Sequence, residues 1–141
     1  MLTGINIHET HKYVSKRDPD KENPTIFHIG VLDPFLRSWI EDKCTSIEFS
    51  SGGADDPARG NVLAKKRNIL LVKYGVRDIE NFLDPQVKAP IKVTLGNTSI
   101  GGKAYPALLD PVISLLGTTL IDELAEEVLK EQDLNGDERK N

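Results

Sequence analysis

The sequence predicts an α+β protein: a small antiparallel sheet packed with three to five α-helices, with a helical C-terminal third. Three observations carry that expectation. Residues 25–32 form a short β-branched and aromatic run, which reads as a strand. Asp33 and Pro34 follow directly, one offering a side-chain acceptor to free backbone N–H groups and the other lacking an N–H where none is needed, so a helix starts there. From Pro106 onward the stretches ALLDPVISLL and TTLIDELAEEVLKEQ have helical periodicity and are separated by Gly117.

Taken in order, residues 1–23 alternate weakly, with the pairs Ile5/Ile7 and Tyr13/Val14, and then reach the charged run KRDPDKEN. They read as an extended arm and a solvated turn ahead of one compact α+β domain at 24–132, with 133–141 as a fraying tail. In the helix after Asp33, spacings of three and four place Phe35, Leu36, Trp39 and Ile40 on one buried face. TSIEF at 45–49 alternates and reads as a half-buried strand, and SSGGADDPARG at 50–60 as a mobile surface loop. Asn61 then caps the helix NVLAKKRNILLVKYG, which Gly75 closes in a left-handed conformation.

Val76, Ile79, Phe82 and Leu83 recur at spacings of three and four, which predicts a short helical turn ended before Pro85. In PIKVTLGNTSI, Ile91, Val93 and Leu95 alternate ahead of Gly96-Asn97, which predicts a hairpin turning at that pair. Pro111 opens a helix after Asp110. The last helix, capped by Thr118 or Thr119, carries the stripe Leu120, Ile121, Leu124, Ala125, Val128 and Leu129, with Asp122, Glu123, Glu126 and Glu127 facing water.

The chain has 22 acidic and 18 basic residues, a net charge of −4 with no basic stripe, which argues against nucleic acid as a partner. Cys44 is the only cysteine, so the chain makes no internal disulfide and no cysteine zinc site. No apolar run approaches the about 18–20 residues that span a bilayer, and the expected setting is soluble and intracellular.

Each candidate for chemistry has a plainer reading beside it. His8 and His11 have helix-compatible spacing but no third ligand nearby, and His28 sits within the strand run, where it serves as a strand-face residue more often than as a base. Asp55 and Asp56 could hold a cation, although adjacent loop acids are usually just solvated. Asp133, Asn135 and Asp137 resemble a calcium loop, but Gly136 is misplaced and the closing Glu is absent. Lys65, Lys66 and Arg67 form either a solvated helix face or a docking patch for an acidic partner. No residue is assigned to catalysis, to a cofactor or to a metal, and no motif identifies partner-binding residues.

The series YVSKRDPDKENPTIFHIGVL, a helix ending in IEDK, ILLVKYGVRDIENF, GGKAYPALLDPVISLL, IDELAEEVL and closing DERKN resembles a group of small tailed-phage proteins, the tail assembly chaperones. Shared features are an S-K-x-D and P-T-x-F entry, a helix-borne E-D, Y-G-x-x-x-x-E-N-F and a C-terminal E-L-A helix. The resemblance covers most of residues 13–141. Ile79 stands where a Trp is more typical, and the Gly-rich loop at 51–60 is this chain's own. The resemblance implies transient binding, in the host cytoplasm, to phage tail proteins, the tape-measure protein among them, without catalysis, nucleic acid or membrane. It carries fold-bearing positions such as Phe27, Gly75 and Phe82, not a site, and leaves oligomeric state open. The alternative is a structural tail or head-to-tail connector component located in the virion tail. A small enzyme with a dispersed site is the third class, distinguished by a deep pocket lined with groups of shifted pKa.

Overall fold

Local chemistry at Asp33 sets the frame of the computed structural model, which describes the backbone of residues 1–50 and 57–133 and the side chains of 1–44 and 63–131. Strand β2 (Ile26–Gly30) delivers the chain to Asp33, and helix α1 (Pro34–Ser50) leaves it. Asp33 Oδ1 accepts the Phe35 N–H at 2.8 Å, and its carbonyl accepts the Arg37 N–H at 2.9 Å. The helix start is therefore the one its sequence predicts. Leu36 and Ile40 are buried and Trp39 half-buried, but Phe35 is 81% exposed, so the expected apolar face is narrower than its spacing implied.

The expected strand at 45–49 is instead the continuation of α1. Two alternating apolar residues are a weak strand signal, and a nucleated helix propagates at the cost of one residue per added hydrogen bond. Of the loop expected at 50–60, residues 51–56, Asp55 and Asp56 among them, lie outside the described residues and the rest is helical instead, Ser50 closing α1 and 57–60 opening the next helix. Helix α2 (Pro57–Gly75) begins at a proline, which suits the first helical position, and Asn61 falls inside the helix and not at its cap.

Gly75 ends α2 without a positive φ, contrary to the left-handed stop its sequence predicts. Its role is closeness: a Cβ there would lie 2.6 Å from a Val128 methyl of helix α4 (Thr118–Asp133). The chain passes straight into β3 (Val76–Glu80), a strand where the spacing predicts a helical turn. A bulge explains the error. Opposite β2, His28 pairs with Asp78 and Ile29 with Val76, so Arg77 is the extra residue, and the shift of phase lets Val76 and Ile79 both face the core.

With β1 (Thr10–Val14), drawn from the stretch expected as an arm, these strands form an antiparallel sheet in the order β1-β2-β3. A hairpin is present but shifted along the chain: β4 (Gly96–Ile100) pairs with β5 (Lys103–Ala107). Gly96-Asn97 lies within β4, and the turn is Gly101-Gly102, with φ of 60° and 79°. Both central residues of a tight hairpin need positive φ, and two glycines supply it without steric cost.

Helix α3 (Asp110–Leu116) starts at Asp110-Pro111 and stops at Gly117 as expected, and α4 follows. Its stripe is core: Ile121, Leu124, Ala125 and Val128 are buried and Leu120 and Leu129 partly so. One apolar cluster joins Phe27 and Ile29 of β2, Leu36 and Ile40 of α1, Leu71 and Val72 of α2, Tyr105 of β5, Ile113 of α3 and this face of α4.

Candidate functional site

The residues that the sequence offers for chemistry are dispersed by the fold. His11 Nε2 stands 3.5 Å from Glu131 Oε2, and His28 Nε2 lies 2.8 Å from Glu80 Oε2, while His8 sits elsewhere, at a cavity wall. Asn135 and Asp137 lie outside the described residues. The basic triplet is mostly spent within the molecule. Lys65 Nζ donates to Asp122 at 2.9 Å and Arg67 Nε to Glu41 at 2.9 Å, tying α2 to α4 and α1, and Lys66 stays exposed. Cys44 is buried, and burial pushes its thiol pKa up, which leaves it a poor nucleophile.

Groups with shifted pKa serve structural contacts. Burial and the hydrogen bond to Glu123 raise the Tyr13 phenol, which donates to that carboxylate at 2.8 Å across from β1 to α4. The Thr25 and Asp20 N–H groups hold Asp18 below the usual carboxylate range, as Asn68 and Lys65 hold Asp122. Among the described residues, no three His, Cys, Asp or Glu side chains gather as a metal site would require.

What the fold assembles is a binding surface. Phe35 on the first turn of α1, Trp39 one turn later, and Ile100, Gly101, Lys103 and Tyr105 of the β4–β5 hairpin line a groove of about 430 Å³. Trp39 is held edge-on against Tyr74, with ring centroids 6.3 Å apart at 89°. Lys43 Nζ rests 4.8 Å from the Trp39 centroid and Lys103 Nζ 5.7 Å from that of Tyr105. Lys103 also reaches Asp33 Oδ2 at 2.7 Å; that contact first, and then the Phe35 N–H, holds Asp33 below the usual carboxylate range. The residue that caps α1 thus fixes the hairpin against it.

Lys103 and Tyr105 also border a second cavity of about 220 Å³, whose wall includes Arg77, Leu36, Tyr74 and His8. Arg77 is the bulge residue of β3. Its Nε donates to the Tyr74 carbonyl at 3.0 Å, Nη1 to Ile7 at 3.1 Å and Nη2 to Val31 at 2.9 Å. Gly30 leaves room for it, since a Cβ there would lie 3.0 Å from the guanidinium carbon. No ion pair joins Arg77 to a carboxylate among the described residues, and burial lowers its pKa.

Sequence reasoning missed this site. Its only linear trace is an arginine between the buried Val76 and Ile79, a charge where an apolar pattern would not place one. No helix among the described residues is long and apolar enough to cross a membrane. No protein-family model, curated protein or solved structure matches the chain.

Proposed function

We propose that this protein is a phage tail assembly factor that binds a tail protein during morphogenesis in the host cytoplasm, with the tape-measure protein as the leading candidate, and that it performs no catalysis itself. The phage assignment rests on the segments from YVSKRD to DERKN that resemble tail assembly chaperones. The binding assignment rests on one observation: Phe35 is 81% exposed beside the half-buried Trp39, at the mouth of an apolar groove. An aromatic ring left in water next to a second one is the kind of anchor that interfaces concentrate.

The experiment is affinity purification of the tagged protein from infected cells. A named phage tail protein should co-purify with the wild type and be lost with Phe35→Ser, whose melting temperature should match the wild type. Recovery of no tail protein, or equal recovery with the variant, would contradict the reading.

A second reading, a structural tail or connector component, draws on a different observation. Strand β1 is an edge of its sheet, and an edge strand offers unpaired N–H and C=O groups to a neighbouring subunit. Rings or tubes of the purified protein in electron micrographs would favour it, whereas monomers or small oligomers favour the assembly factor.

A further inference from the structure

Charge at the groove runs against the charge of the chain. The net charge is −4, yet Lys103 lines both the groove and its adjoining cavity and Arg77 lines the cavity, with Asp33 the one acid among the described lining residues. Asp33 and Lys103 offset each other across 2.7 Å, so the net positive charge is that of Arg77, which among the described residues is bonded to main-chain carbonyls. A guanidinium carries five N–H donors, and three are used here, so donor capacity and a full positive charge remain in the cavity wall. The bulge that aims Arg77 there, and the glycine opposite that makes room for it, mark a built feature.

We infer that groove and cavity together take an acidic, aromatic-bearing segment of another protein, its apolar side chain seated between Phe35, Trp39 and Tyr105 and its carboxylate drawn to Lys103 and Arg77. The inference rests on the protein-binding part of the proposed function and not on its phage part. Lys103 already lies over the Tyr105 ring, so a carboxylate arriving beside the apolar anchor meets an ammonium group without displacing an apolar contact. A nucleic acid fits less well. It would bring a phosphate row toward an acidic chain, and the exposed apolar surface at Phe35 would go unused.

Trp39 is the only tryptophan, so its emission reports on the groove directly. The probe is a synthetic hexapeptide with two phenylalanines flanked on each side by two glutamates, titrated into the whole protein. A saturable change in Trp39 emission is expected, and binding should weaken about tenfold when the glutamates become glutamine, with Lys103→Gln, or with Phe35→Ser. Arg77 variants are not the main test, because its three carbonyl bonds make loss of fold the first consequence. No saturable change up to about 1 mM peptide, or equal binding of the glutamine peptide, would overturn the inference. So would tighter binding of an oligothymidylate, or a dimer abolished by Phe35→Ser, which would give the groove to nucleic acid or to a second copy. If the acidic peptide binds while no tail protein co-purifies from infected cells, the groove assignment stands and the phage reading fails; the converse separates them the other way.

Discussion

At Asp33 one carboxylate accepts the Phe35 N–H with one oxygen and the Lys103 ammonium with the other, joining helix start to hairpin. The first bond was legible in the sequence, because Asp-Pro after a strand is a local signal. The second was not, since it joins residues 70 apart. Asp33 has a folded pKa below its unfolded value, so its contribution to stability is full above the ordinary carboxyl value of about 3.9 and is lost as pH falls through the folded value. Asp33→Asn keeps an acceptor for the cap and removes the charge. The urea midpoint of the wild type should therefore exceed that of the variant above about pH 5, and the gap should close in acid; a gap constant with pH would contradict this role. Gly75 is a second residue whose purpose only the fold reveals. Gly75→Ala should cost about 1–3 kcal/mol in chemical denaturation, because its Cβ would strike the buried, β-branched Val128.

Elements were legible where their signals were long. The stripe of α4 has six apolar positions at helical spacing, and the structure buries it, so Leu124→Ala should lower unfolding free energy by about 2–5 kcal/mol. Short elements misled. Val76 and Ile79 have helical spacing because a bulge inserts Arg77 between them, and a bulge is invisible until the partner strand is known. The sequence predicts the hairpin turn at Gly96-Asn97, a pair that suits a tight turn, whereas the chain turns further along at Gly101-Gly102, where both residues take positive φ. Gly102→Val should destabilise the hairpin by about 1–2 kcal/mol, because φ is 79° there. Gly102→Asn should cost less in the same thermal melts, since asparagine tolerates that conformation; equal costs would argue that space and not φ governs the turn.

For the whole molecule, the sequence made the α+β class and the two C-terminal helices legible but not the groove, which takes residues from α1 and from a hairpin about 60 positions further along the chain. Phe35 reads as core by spacing and is in fact 81% exposed, because α1 packs against α2 with Leu36 and Ile40 inward and leaves its first-turn ring outside that contact. We propose that this surface serves transient assembly of a phage tail. Quantitative peptide mass spectrometry of the protein in infected-cell lysate, and in purified particles from the same culture, tests it most directly. The account predicts abundance in lysate and absence from particles; a fixed copy number in particles would contradict it and make the protein a structural component.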